Sequence, residues 1–172
     1  MDFEVIQGNI ALESADVLVN AAGTSLQMGS GVAGALRRAA GDEINKEATA
    51  KGPVDLGEVA VTNAYDLNAE WVIHAAAMPH YGDGQATAES IAAATRNTLE
   101  EADALGAQSL VIPALGCGVA GFDLEDGARI IAETIGEYDP DSLEDVRFIA
   151  YSDEEYETVR EAAQEIKEES DS

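Results

Sequence analysis

The hydrophobic pattern of the chain alternates between short apolar runs and longer amphipathic segments. Six short runs rich in apolar residues predict β-strands, and several are apolar almost throughout, as expected for strands covered on both faces. The runs are residues 3–7, 16–21, 58–63, 71–77, 109–114 and 146–151.

Apolar residues at helical spacing fill the gaps between these runs. One predicted helix begins near Val32 and breaks at Gly41, where Asp42 would cap a second piece. The others cover residues 86–105, 124–138 and the segment from Asp153 onward. The alternation of strands and helices predicts an α/β fold in which helices cover a sheet.

Composition narrows the classes of protein. The 172 residues suit one domain, and 34 acidic against 9 basic residues give a net charge of −25. This charge excludes binding of nucleic acid through a general basic surface and argues against docking on anionic membranes.

The single cysteine excludes an internal disulfide and a cysteine-based zinc site. No apolar run approaches the ~20 residues of a membrane span, and the acidic N-terminus is unlike a secretory signal. We therefore expect the protein to be located in the cytoplasm.

The acidic balance has two interpretations. Strong self-repulsion destabilises a protein in dilute buffer, and halophilic proteins use such surfaces under heavy screening. We therefore expect salt adaptation. The alternative is an acidic mesophilic protein that its charge keeps soluble.

Two glycine-rich segments have the same form. Residues 29–34 are Gly-Ser-Gly-Val-Ala-Gly and residues 116–121 are Gly-Cys-Gly-Val-Ala-Gly, each between a predicted strand and a predicted helix. Such loops can point consecutive N–H groups at an anion, and the following helix adds its positive dipole end. Two of them at one sheet edge predict a diphosphate ligand held without Lys or Arg. The alternative is a pair of tight turns needed only for packing.

A plain dinucleotide-binding fold fits the loops poorly. That fold places an acidic residue at the end of the next strand about 20 residues on, followed by further βαβ units. After Gly121 there is room for only one more helix, strand and helix, and the candidate acid, Asp153, lies too far along the chain.

The order of motifs resembles the macro domain family over nearly the whole chain. The resemblance rests on residues 8–10 (Gly-Asn-Ile), 16–22 (Asp-Val-Leu-Val-Asn-Ala-Ala), 72–75 (Val-Ile-His-Ala), 113–115 (Pro-Ala-Leu) and the two glycine loops. It implies a three-layer α/β/α sandwich with a mixed, mostly parallel sheet of about six strands, in one domain over residues 1–168 with a frayed acidic tail over 169–172. It also implies a cleft for ADP-ribose with the diphosphate between the loops.

The resemblance implies a set of ligand-binding positions. Asn9 stands where the family usually has an aspartate that accepts a bond from adenine, so the base contact keeps an acceptor oxygen but loses the charge. Ile10 would offer its backbone N–H to the base. Tyr151 would stack on adenine, unless it is a core aromatic residue. The phosphate loops supply the remaining positions, which are Gly29, Ser30, Gly31, Val32, Gly116, Cys117, Gly118 and Val119.

The end of the site for the distal ribose departs from the family. Asn20 is retained, as a support of the loop, but Gly23 stands where the family has a ribose-binding asparagine. Ala33 stands at the aspartate that orients water in the hydrolases of the family, and Ala120 at their aromatic residue. These departures favour binding over hydrolysis.

Catalytic candidates are weak. A thiol inside an anion-binding loop has a lowered pKa, so Cys117 with His74 or His80 would suggest a hydrolase. The alternative interpretations involve no catalysis: Cys117 is a small residue that fits its surroundings, and His74 is a buried core histidine. His80 or Asp83 could replace the missing general base. The two histidines are a poor metal site, and no cofactor is expected.

The sequence therefore predicts a domain that binds ADP-ribose or its derivatives, with no duplex nucleic acid or membrane partner, and a monomer. The alternative is a hydrolase acting at the distal ribose of ADP-ribosylated protein, O-acetyl-ADP-ribose or ADP-ribose 1″-phosphate. Catalytic activity stays open at this stage.

Overall fold

A computed structural model describes residues 1–80, 84–117 and 121–170. Within these ranges the predicted strands and helices are all present, with ends that differ by a few residues. The strands are β1 (Glu4–Gln7), β2 (Val17–Gly23), β3 (Val59–Asn63), β4 (Trp71–Met78), β5 (Ser109–Ile112) and β6 (Asp145–Ala150). The helices are α1 (Gly31–Ala40), α2 (Glu43–Lys51), α3 (Ala88–Ala104), α4 (Leu124–Glu137) and α5 (Asp153–Ser170).

The strands form one mixed sheet in the order β1-β6-β5-β2-β4-β3. Only the β3–β4 pairing is antiparallel among these strands. The mostly parallel sheet is therefore confirmed. Because β1, β6, β5, β2 and β4 run in one direction, their carboxyl ends meet at one edge, which we call the carboxyl edge.

The helices form two layers around the sheet. Helices α3, α4 and α5 pack on one face, whereas α1 and α2 pack on the other. Successive side chains of β2 alternate between the two resulting cores: Val17 and Val19 lie in the larger core, and Leu18 lies in the smaller one. Both faces of the central strands are thus buried, which explains their nearly continuous apolar sequence.

The break between α1 and α2 occurs where it was predicted, but its chemistry differs. Gly41 ends α1 with φ +102°, a conformation that favours glycine. Asp42 precedes α2 without a side-chain capping bond. Its carboxylate instead pairs with Arg37, 3.0 Å from Nε. The predicted cap is therefore wrong, because the neighbouring guanidinium competes for the carboxylate.

Helix α5 runs to residue 170 and includes the start of the expected tail, whose fraying stays a prediction. No helix in the described ranges is long and apolar enough to cross a lipid bilayer.

Candidate functional site at the carboxyl edge

The first glycine loop connects β2 to α1 at the carboxyl edge. Gly29, Ser30 and Gly31 are exposed, and a Cβ added at Gly29 or Gly31 would meet nothing within 4 Å. Gly31 has φ +62°, and Ser30 forms no side-chain cap on the helix. The amino end of a ten-residue helix therefore faces open space above this loop. Such an end attracts anions through its N–H groups and its dipole.

One basic side chain lies beside this loop. Gly34 lets the loop pack against α1, since a Cβ there would lie 3.2 Å from the Gly29 carbonyl oxygen. The Arg38 Nη1 atom is 3.3 Å from the same position. Arg38 forms no ion pair with the described part of the chain, whereas Arg37 pairs with Asp42. The loop thus has one cation nearby that no described acid neutralises.

The second loop connects β5 to α4, and its predicted residues Gly118 and Val119, together with Ala120, lie outside the described residues. Gly116 has φ +74°. A Cβ there would lie 2.7 Å from the Ala86 Cβ and 3.0 Å from Ile91 Cγ1. Both the backbone conformation and the packing against Ala86 and Ile91 therefore favour glycine at this position.

The thiol of Cys117 is not activated. Burial raises its pKa to about 11, and the negative charges of Asp123 and Glu155 act in the same direction. The expected lowering of the pKa by the loop is therefore wrong, because these effects favour the neutral thiol. The sulfur packs against Gly127 of α4, so a side chain at position 127 would displace it. Cys117 is best explained as a small residue selected by packing.

The other end of the carboxyl edge carries the residues expected to meet a base. Tyr151 follows β6 and is 71% exposed, which excludes the core-aromatic interpretation. The Asn9 Oδ1 atom accepts a bond from the Ala11 N–H at 3.0 Å and caps a short 3-10 helix, Ile10–Leu12. An amide oxygen can accept two bonds, so one lone pair of Asn9 is available to a base. The side chain of Ile10 is buried. The roles of Asn9, Ile10 and Tyr151 stay predictions.

Two predicted residues lie in the sheet rather than in the cleft. Asn20 and His74 are fully buried and hydrogen bonded to each other. The interpretation of His74 as a core histidine is confirmed. Ala33 is also buried, on the face of α1 that packs in the smaller core, so no polar group meets the cleft from that position.

The distal end of the edge is formed by Gly23 and the segment that follows β4. His80 is exposed and hydrogen bonded to Thr24 and Ser25, two residues that belong to none of the sequence motifs. Their only signal in the sequence is a pair of hydroxyl residues directly after Gly23. Asp83 lies outside the described residues.

A groove of about 780 Å³ lies elsewhere, at the amino ends of β1 and β6 against α5. It is lined by acidic side chains together with Arg160 and Lys167, and both of these bases pair with acids. Ligands of open α/β sheets bind at the carboxyl ends of the strands. The carboxyl edge is therefore the better candidate site.

The protein has a mixed sheet with two glycine loops at its carboxyl edge, and the first loop leads into a helix whose amino end faces solvent. These features define a class of α/β domains suited to phosphorylated ligands. The family model for the Macro domain matches residues 19–131, which is more than half of the chain. The chain belongs to the macro domain family.

Similar proteins agree with this assignment. An uncharacterised protein of Mycobacterium tuberculosis is 42% identical over 153 residues, covering 89% of this chain and 42% of that protein. The chain thus spans about two fifths of the length of the first curated relatives that it matches. A macro domain-containing protein of Caldanaerobacter subterraneus is 33% identical and covers 95% of this chain and 96% of that protein.

Solved structures show the same fold. The Oceanobacillus iheyensis macrodomain with ADP has a TM-score of 0.86 at 28% identity and covers 96% of this chain and 91% of that chain. The Trypanosoma brucei macrodomain in complex with ADP-ribose has a TM-score of 0.80 at 26% identity, with coverage of 91% and 67%. The predicted fold and family are therefore confirmed.

Proposed function

We propose that this domain binds ADP-ribose, or molecules that carry it, along the carboxyl edge. The observation that carries the proposal is the combination of the open first loop, the buried Gly116 turn and the exposed ring of Tyr151 at one edge. Relatives of the same fold are described with ADP and with ADP-ribose. We extend the same proposal to the substrates and partners of the full protein, which would be molecules that carry ADP-ribose.

The ligand would lie with its adenine at Tyr151 and Asn9 and with its diphosphate between the two loops. Peptide N–H groups and the amino end of α1 supply the attraction. This explains how a chain of charge −25 accommodates an anion with only Arg38 as an unpaired base beside the described part of the loops.

Binding without hydrolysis is the activity that the distal end supports. Gly23 has no side chain, and Ala33 is buried in the smaller core. Neither position can therefore orient a water molecule for attack on the ribose. Hydrolysis of ADP-ribosylated protein is the competing function, and the same experiment tests it.

The test is a calorimetric titration of ADP-ribose in 2 M KCl, with folding checked by circular dichroism. We expect one ligand per chain, and ribose 5-phosphate serves as the control that lacks the adenine. No heat at millimolar ADP-ribose with folded protein would refute the proposal. Incubation with mono-ADP-ribosylated protein under the same conditions should release no ADP-ribose, and rapid release would show a hydrolase instead.

A further inference from the structure

The end of β2 leaves little room for a side chain at Gly23. A Cβ added to Gly23 would lie 3.0 Å from the Pro79 carbonyl oxygen and 3.5 Å from the His80 Cα. The backbone that follows β4 is therefore packed directly on Gly23. A side chain that meets a ligand at this point would come from this neighbouring segment, in which His80 is the described residue directly after Pro79.

His80 is held in place by the turn that follows Gly23. Its backbone N–H donates to Thr24 Oγ1 at 3.1 Å, and its Nδ1 atom lies 2.9 Å from Ser25 Oγ. The turn itself is anchored by Leu26, which is fully buried and has φ +63°. Bonds at the backbone and at Nδ1 leave Nε2 as the ring atom without a hydrogen-bond partner in the described ranges.

The sheet order places His80 opposite Tyr151. Across the carboxyl edge come β6 with Tyr151, then β5 with the second glycine loop, then β2 with the first loop, then β4 with His80. Three strand spacings separate β6 from β4, which is about 14 Å. A ligand with its base on Tyr151 and its phosphates on the loops would therefore extend its other end toward His80.

We propose that His80, positioned by Thr24 and Ser25, contacts the terminal ribose of ADP-ribose and is the side chain that distinguishes ADP-ribose from ADP. The proposal rests on the proposed function of the domain. A histidine ring nitrogen can donate a hydrogen bond to a sugar hydroxyl or accept one from it, depending on where the ring proton lies. The exposed ring of His80 can therefore bond to a ribose hydroxyl in either way. His80, from the segment that follows β4, thus makes the contact that Gly23 of β2 cannot make because it has no side chain.

The test compares the affinities of ADP-ribose and ADP, which lacks the terminal ribose, for the wild type and His80→Ala in 2 M KCl. We expect the wild type to bind ADP-ribose about five- to tenfold more tightly than ADP, the value of one net hydrogen bond to a ligand. His80→Ala should remove this preference and change the affinity for ADP by less than about twofold. Ser25→Ala, which frees the ring, should weaken ADP-ribose binding by about two- to threefold with ADP unaffected.

Gln27→Ala is the matched control, because Gln27 lies in the same turn, its side chain is exposed, and it contacts Ser25 Oγ through its backbone N–H, which the substitution keeps. It should alter neither affinity. If His80→Ala changes neither ligand, or weakens both equally, the inference is overturned while the proposed function stands. If folded wild type binds neither nucleotide, the proposed function itself fails.

Discussion

The Nδ1 atom of His74 lies 2.9 Å from the Nδ2 atom of Asn20, and both side chains are fully buried. An amide NH₂ group only donates, so Nδ1 accepts and the ring proton lies on Nε2. That proton is donated to Thr62 Oγ1 at 2.9 Å, and the Thr62 hydroxyl donates to the Asn63 carbonyl oxygen at 3.0 Å. A directed chain of donors thus crosses from β2 through β4 to β3.

The burial of His74 in this hydrogen-bond chain makes the stability of the protein depend on pH. Burial lowers the pKa of His74 to about 4. In the unfolded chain the pKa is about 6.5, so below pH 6.5 the unfolded state binds a proton that the folded state does not. The contribution of His74 is therefore fully present above pH 6.5 and is lost as the pH falls toward 4.

We expect the free energy of unfolding to fall by about 2 kcal/mol between pH 7.5 and pH 5 through this residue. Urea unfolding in 2 M KCl measures it. His74→Gln, which keeps hydrogen-bonding groups but does not titrate, separates this effect from that of the carboxylates. Equal pH slopes for the variant and the wild type would contradict the assignment.

A second prediction separates packing from backbone strain at Gly116. Gly116→Ala should destabilise the protein by about 2–4 kcal/mol, because the methyl group would collide with Ala86 and Ile91 in addition to the cost of a positive φ. Gly106 is the matched control, since its φ is +75° but its added Cβ would meet nothing within 4 Å. Gly106→Ala should cost only about 1–2 kcal/mol in the same urea titration. Equal losses would mean that the contacts with α3 are not limiting.

A third prediction concerns the exposed ring of Tyr151. Tyr151→Ala should weaken ADP-ribose and ADP alike, by about tenfold or more, because a base stacked on an aromatic ring gains about 1–3 kcal/mol. Tyr151→Phe keeps the ring and should bind within about twofold of the wild type. Calorimetry measures both, and the thermal midpoint should not change because the side chain is 71% exposed. A Phe variant as weak as the Ala variant would show that the hydroxyl, not stacking, matters.

A fourth prediction concerns salt. Eight of the nine basic residues already form ion pairs among the described residues, and they engage ten of the 34 acids. The remaining repulsion is screened as the Debye length falls from about 8 Å at 0.15 M to about 3 Å at 1 M salt. We expect the thermal midpoint to rise by at least ~5 °C between 0.15 M and 1 M KCl.

The control for this prediction is sucrose at equal osmolality, which is excluded from the protein surface but does not screen charge. Sucrose should stabilise the protein less than KCl does. If KCl leaves the midpoint unchanged or lowers it, the interpretation as salt adaptation is wrong.

The sequence predicted the elements of the fold well because periodicity is a local property. The runs at residues 58–63 and 71–77 correspond closely to β3 and β4. The strand order and the antiparallel direction of β3 come from long-range packing, which no single segment carries. Asp42 illustrates the local failure: its type suited a helix cap, but Arg37 one turn earlier competes for its carboxylate.

The candidate site was predictable where it depends on glycine and not where it depends on neighbours. Glycine permits the positive φ that Gly31 and Gly116 adopt, so the residue type indicated where the loops turn. The raised pKa of the Cys117 thiol depends on burial and on the negative charges of Asp123 and, from α5, Glu155, so the sequence predicted the wrong direction. The contacts of His80 with Thr24 and Ser25 join residues more than fifty positions apart.

The packing beneath the turn at residues 23–26 has a consequence for local motion. Leu26 is buried with Ala22 and Ala48 in a small cluster separate from the two main cores. Segments with few buried apolar contacts open locally at a lower free energy than the core strands. Amide hydrogens of this turn should therefore exchange with solvent sooner than those of β2. A loosening of α2 at Ala48 would therefore reach the turn that holds His80 and leave Tyr151, three strands away, undisturbed.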